Sequence, residues 1–287
     1  MIQYRISYQE LAEKIEAEKP GWMARAETKT VEDSSIWSEV KVVYMRLQGG
    51  SKCAYCERKM ESEEFGKGEQ AVDHFRPKKR VKVWKAPQNL IDEGIVFTVP
   101  PKDNKGYPAL CYHLFNYAAA CNPCNSILKK DYFPIAGTYQ IGSDGTETLH
   151  RTELPYLIYP IGDFHARPES FIEFRGLSPR PVHEEGYERN RALVTIEFFR
   201  LDDMARKNLF IERAEVIAIL YPRLEKLNAS MSESEKQVAS RIVTAYTSGT
   251  YRHTNCARNF KRLYETDKTE AKRVHDRAEE FLATKPP

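Results

Sequence analysis

Four of the six cysteines fall into two C-x-x-C pairs, Cys53-Ala54-Tyr55-Cys56 and Cys121-Asn122-Pro123-Cys124. Each pair delivers two thiolates from one tight turn. Two such knuckles complete a tetrahedral four-sulfur site for Zn2+, a redox-inert ion that accepts four soft ligands. A site of this kind leaves no coordination position for a substrate, so its expected role is to staple distant stretches of chain together. A single pair would also fit a redox dithiol or an unrelated buried pair; two pairs together favour a metal. Cys111 and Cys256 belong to no motif and are expected as small buried hydrophobes.

Between the knuckles runs Val72-Asp73-His74-Phe75-Arg76-Pro77-Lys78; Asn116 precedes the second knuckle and Asn125 follows it. These residue types suit phosphodiester hydrolysis. That reaction needs a water activated near neutral pH, a Lewis acid at the scissile phosphate, and positive charge around the phosphates. His74 is the natural general base, because an imidazole titrates near neutrality. The amide oxygen of Asn116 is expected to accept from the imidazole N–H and fix its tautomer. Asp73 and Asn125 offer hard oxygen donors that could hold one Mg2+ or Mn2+. Neighbours on an extended strand point to opposite faces, so joint use of Asp73 and His74 requires the strand to bend or end there, with Pro77 close behind.

The order C-x-x-C, Asp-His, Asn, C-x-x-C-Asn resembles the HNH (ββα-metal) endonucleases that carry a structural zinc, over roughly residues 53 to 134. The resemblance implies catalytic roles for Asp73, His74, Asn116 and Asn125, a structural Zn2+ on Cys53, Cys56, Cys121 and Cys124, and a catalytic Mg2+ or Mn2+ on Asp73 and Asn125. Many members carry a lysine three residues after the final Asn. Here that position is Leu128, with Lys129 and Lys130 next, and the insertion 80–107 is longer than in minimal members. The phrases Cys53-Ala54-Tyr55-Cys56-Glu57, Asp73 to Lys78, and Cys124-Asn125 followed by Phe133-Pro134 look like the HNH subunits of Septu-type and retron-associated bacterial anti-phage systems. That likeness implies a nuclease effector working beside an ATPase partner. The alternative from a different class is a zinc-stabilised nucleic-acid- or protein-binding module without catalysis.

Arg76, Lys78, Lys79, Arg80 and Lys82 follow His74, while Lys129 and Lys130 follow Asn125. Basic residues beside both halves of the site are expected to contact nucleic-acid phosphates, with DNA the first expectation and RNA the second. The net charge of +3 is too small to establish such binding by itself. Trp84 is expected in the core or stacked on a base, and the basic residues from Arg252 to Arg277 on a solvated helix surface. With 41% hydrophobic and 30% charged residues, the composition is that of a globular protein. No apolar run approaches the ~20 residues of a membrane span, and Met1 to Arg5 lacks a secretory layout. A cytoplasmic protein with no membrane partner is the expectation.

The elements that must position these groups can be read from pattern. Ser7-x-x-Glu10 is a capping box opening a helix that carries Leu11 and Ile15. Ile36, Val40, Val43 and Leu47 give helical spacing over Ser35 to Gln48, stopped by Gly49-Gly50. Short strands are expected at Ala71 to Phe75, Leu157 to Tyr159 and Phe171 to Phe174, and a short helix at Asn125 to Lys130. Further helices are expected at Tyr187 to Phe199, at Asp203 to Leu220 (capped by Asp202 and limited by Pro222), after the Ser232-x-x-Glu235 box, and at Asn255 to Leu282 with a break in 265–273. The expected fold is α+β: a zinc-stapled ββα core with N-terminal helices in 1–136, and a mainly helical region in 137–287 that docks a partner or shapes a nucleic-acid groove. The turn-rich stretch Gly137 to Gly145 is the boundary.

Overall fold

A computed structural model describes residues 1–29, 36–66, 68–142, 146–163 and 166–284. The N-terminal part holds α1 (Tyr8–Glu18), α2 (Trp22–Glu27), a 3-10 turn (Ile36–Val40) and α3 (Lys41–Leu47). Strand β1 (Gln70–His74), α4 (Gln88–Asp92), β2 (Tyr117–Cys121) and a π-helix (Pro123–Lys129) follow. Next come α5 (Thr146–Glu153), β3 (Ile172–Arg175) and β4 (Ser178–Pro181). The chain continues with α6 (Gly186–Phe198), α7 (Lys207–Asn228), α8 (Glu233–Thr247), α9 (Thr254–Thr266) and α10 (Lys268–Ala283). Mixed helix and small antiparallel sheets are compatible with the expected α+β class.

Strands β1 and β2 pair antiparallel, from Gln70 opposite Cys121 to His74 opposite Tyr117. β2, with the sequence Tyr-Ala-Ala-Ala-Cys, is buried along its whole length. Its small side chains let α3 and the first knuckle approach closely. Its outer edge would leave polar backbone groups unpaired, and two elements prevent this. Gln48, wholly buried after α3, accepts from Ala119 N–H at 2.8 Å and donates to Ala119 O at 2.8 Å. Ala54 N–H of the first knuckle also donates to Ala119 O, at 3.0 Å.

One apolar cluster runs from Met1 to Leu209 and contains the hairpin, both knuckles, Trp22, Tyr44 and Tyr159. A second is built by α7 to α10 around Ile217, Leu220, Leu224, Val243, Phe260 and Tyr264. The capping boxes at Ser7 and Ser232 are both formed. The long final helix divides at Asp267, inside the expected break, and Asp267 caps α10. Among the described residues no helix is long and apolar enough to cross a membrane.

Several expectations are corrected. The helix over 35–48 is a 3-10 turn followed by α3, and its proposed first residue, Ser35, lies outside the described residues. Part of the Gly137 to Gly145 stretch lies outside them too. Leu157 to Tyr159 is not a strand; the segment is buried, and beside it Tyr4 N–H donates to Pro160 O at 2.8 Å and Gly162 N–H to Tyr4 O at 3.1 Å. Helix α7 does not stop at Leu220 but passes through Pro222 to Asn228. Burial of both Leu220 and Leu224 outweighs the hydrogen bond that Pro222 cannot make. Asp203, not Asp202, caps a 3-10 turn (Met204–Arg206) that leads into α7, accepting from Ala205 N–H at 2.7 Å, while α7 itself starts after Arg206 with no side-chain cap.

Replacing Gln48 by Leu is expected to strand the Ala119 N–H in a dry environment. The cost is about 1–3 kcal/mol, measured as a lowered denaturant midpoint with unchanged slope.

Candidate metal centre and the adjoining Asp-His site

The two knuckles meet because the hairpin register brings them together. β2 ends at Cys121, opposite Gln70, and Asn122 N–H donates to Glu69 O at 2.7 Å. Pro123 then opens the π-helix, whose first turn carries Cys124. The first knuckle folds on itself through Cys53 N–H to Arg58 O at 3.0 Å and Glu57 N–H to Cys53 O at 3.1 Å. Closing that turn puts Glu57 in the left-handed region, φ 59°, unusual for a residue with a side chain. Its carboxylate accepts from Asn255 N–H at 3.2 Å and its carbonyl from His253 N–H at 3.1 Å, which anchors the strained turn on the start of α9.

All four cysteines are buried and unbridged, and their sulfurs lie within 4.8 Å of one another. Cys56 Sγ and Cys121 Sγ are 3.8 Å apart. A tetrahedron with Zn–S bonds of ~2.3 Å has edges of about 3.8 Å, so the four sulfurs are arranged to hold a metal such as zinc. Burial pushes the Cys124 thiol up, and its sulfur neighbours push it further. Burial also opposes ionisation of Cys56, but hydrogen bonds from Cys121, Cys124 and Cys53 bring it well below the ordinary range. Arg206 places Nη1 3.5 Å from Cys124 Sγ. Its guanidinium offsets thiolate charge in the way that outer partners tune metal ligands.

Tyr55, inside the first knuckle, stacks on Phe199 with centroids 4.2 Å apart and donates its hydroxyl to Asp73 Oδ2. The other Asp73 oxygen faces Lys129, the last residue of the π-helix, whose Nζ is 3.3 Å from Oδ1 and donates to His74 O at 2.7 Å. Tyr55, Asp73 and Lys129 are all buried. Burial pushes the Asp73 carboxyl up, while Lys129 and Tyr55 pull it back. Each knuckle therefore contributes one group to Asp73: the first the hydroxyl, the second the ammonium.

His74 ends β1, and its ring points away from Asp73. Nε2 lies 3.1 Å from the Cys111 carbonyl, and the ring packs edge-on to Trp37 and Tyr117 at 5.3 and 5.1 Å. A carbonyl only accepts, so Nε2 carries the proton and Nδ1 the lone pair. Burial, with Lys78 adding to it, pushes the His74 pKa down to about 3, so the ring is neutral at physiological pH.

Neither expected asparagine side chain hydrogen-bonds to Asp73 or His74 among the described residues. Asn116 does not touch the imidazole. Its Oδ1 accepts from Arg76 N–H at 2.7 Å and its Nδ2 donates to Arg76 O and Leu110 O at 3.0 Å, clamping the chain that leaves His74. The acceptor that orients His74 is Cys111 O, a backbone group with no side-chain signal in the sequence. Asn125 is half-buried on the first turn of the π-helix. Among the described residues no hydrogen bond joins its side chain to Asp73 or His74. The Mg2+ or Mn2+ expected on Asp73 and Asn125 does not fit this arrangement, because an ammonium holds Asp73 Oδ1 and a divalent ion there requires Lys129 to leave.

Two expected phosphate contacts are also corrected. Arg76 is 1% exposed; its Nε pairs with Glu153 at 3.0 Å, and Tyr107 donates to the same carboxylate. Lys129 is occupied as described. Lys79, Arg80 and Lys130 are exposed, Lys78 is half-buried, and the exposed Lys82 pairs with Asp131 at 2.7 Å. Trp84 packs between Phe97 and Phe198. The basic residues of the final helices are matched by acids, among them Arg252 with Glu215, Arg258 with Glu169 and Arg277 with Glu270. No protein-family model, curated protein or solved structure matches the chain.

The purified protein is expected to carry one equivalent of zinc by elemental analysis. Cys121→Ser should lose zinc and thermal stability together, because such sites contribute directly to folding. Lys129→Met should cost about 3–5 kcal/mol in denaturant unfolding by leaving a buried carboxylate unpaired. The double variant Asp73→Asn/Lys129→Met should recover part of that loss.

Proposed function

We propose that the chain is an endonuclease that hydrolyses phosphodiester bonds of nucleic acid, built on an HNH-type core stapled by structural Zn2+, with His74 as general base. The observation that supports this is the Lys129 bridge. A helix anchored by the second knuckle holds both the Asp73 carboxylate and the His74 backbone, so the proposed structural ion and the proposed base share one rigid frame.

In this reading Nε2–H stays on Cys111 O while Nδ1 takes a proton from water. The water oxygen bonds to phosphorus, the opposite P–O bond breaks, and the departing oxygen is protonated from solvent. The exposed Lys79, Arg80 and Lys130 gather the phosphates by charge. Asn116 acts as a positioning residue by fixing the turn after His74. The resemblance to the HNH subunits of anti-phage systems extends the proposal to an effector beside an ATPase, with the helical region as the docking element; DNA is the substrate tested first.

A second reading, a zinc-stabilised binding module without catalysis, is favoured by two observations: His74 is only 8% exposed, and burial holds its pKa at about 3, below the near-neutral value that suits a general base. Nicking of plasmid DNA and of single-stranded DNA and RNA, with Mg2+, Mn2+ or neither, separates the two. His74→Asn keeps a donor toward Cys111 O. It is expected to lower cleavage by about 10²–10⁴-fold, the usual contribution of a general base, with zinc content and melting temperature unchanged. Cleavage retained by this variant removes His74 from the chemistry.

A further inference from the structure

Trp37, on the 3-10 turn before α3, covers His74. Its ring is edge-on to the imidazole, 6.0 Å from Tyr112 and half-buried. Tyr112 is followed in the chain by His113, whose ring is 5.3 Å from Tyr8; Tyr8 itself is 39% exposed. Two ring pairs, Trp37 with Tyr112 and His113 with Tyr8, joined through the Tyr112–His113 peptide, thus form an aromatic strip beside the proposed base. Lys78 Nζ lies 3.3 Å from the centre of the Trp37 ring, and Lys79 and Arg80 next to it are exposed. No acidic residue interrupts the chain between Arg76 and Lys85.

We infer that this strip binds single-stranded nucleic acid and delivers it to His74; the inference rests on the nuclease reading above and names its substrate class. Two physical reasons carry it. Aromatic platforms take up unpaired bases, since a duplex hides its base faces in its own stack; the exposed Lys79 and Arg80 meet the phosphates, and a base stacking on the Trp37 face that Lys78 covers displaces that ammonium toward its own phosphate. In addition, His74 is recessed under Trp37 and Tyr117, where a flexible strand can pass a nucleotide inward and a rigid duplex cannot.

The test uses the full-length, zinc-loaded His74→Asn protein, so that cleavage does not deplete the probe. Fluorescence polarisation compares a labelled oligothymidylate of about 12 nucleotides with a blunt duplex of the same length. The single strand is expected to bind at least about tenfold tighter. Trp37→Ala should remove about that factor and Trp37→Phe restore most of it, as stacking predicts. A duplex that binds as tightly as the single strand overturns the inference, as does unchanged single-strand binding by a folded Trp37→Ala protein. Wild-type protein that shows Trp37-dependent binding yet cuts neither form refutes the nuclease reading while upholding the strip as a single-strand site.

Discussion

Four sulfur atoms gathered in a dry interior set the terms for everything around them. Thiolates in such surroundings repel one another unless a cation sits among them, and the groups nearby are arranged for a cation. Arg206 reaches Cys124 from the turn before α7, Tyr55 leaves the first knuckle toward Asp73, and Lys129 leaves the second toward the same carboxylate. The hairpin alone, five residues a side, has little to hold it. With the knuckles joined at one end and Gln48 and Ala54 lining its outer edge, it becomes the centre of the molecule.

The alternation of a strand decides how the Asp-His dipeptide is used. Neighbouring side chains on β1 face opposite ways, and the structure does not bend the strand to reunite them. Asp73 turns toward the knuckles and His74 toward Trp37 and the Cys111 carbonyl. What joins the two halves is Lys129, which touches the side chain of one and the backbone of the other. Asp73 belongs to the supporting frame in this arrangement, and His74 is left with a defined tautomer.

Much of this frame was legible in the residues, for identifiable reasons. Two C-x-x-C pairs are local signals, and each needs only one tight turn. The capping boxes at Ser7 and Ser232 and the break at Asp267 were equally local. The misreadings at the site involved partners distant in sequence. Arg76 looked like a phosphate ligand because nothing nearby announces Glu153, and Lys129 looked exposed because its acceptor lies on another strand. Cys111 contributes a carbonyl, for which composition carries no mark. Tyr55 could have been found, since a tyrosine inside a knuckle must point somewhere fixed once the turn closes.

The anchoring of Glu57 by His253 and Asn255, and of Lys52 by Thr254 at 3.1 Å, has a consequence for assembly order. A chain emerging from the ribosome exposes its earlier residues first, so both sulfur pairs are available for ion capture well before α9 exists to brace the first knuckle. Loading can therefore precede closure. Once α9 has docked, the turn that carries Cys53 and Cys56 is braced by residues far downstream, so opening that turn requires α9 to lift from Glu57 and Lys52.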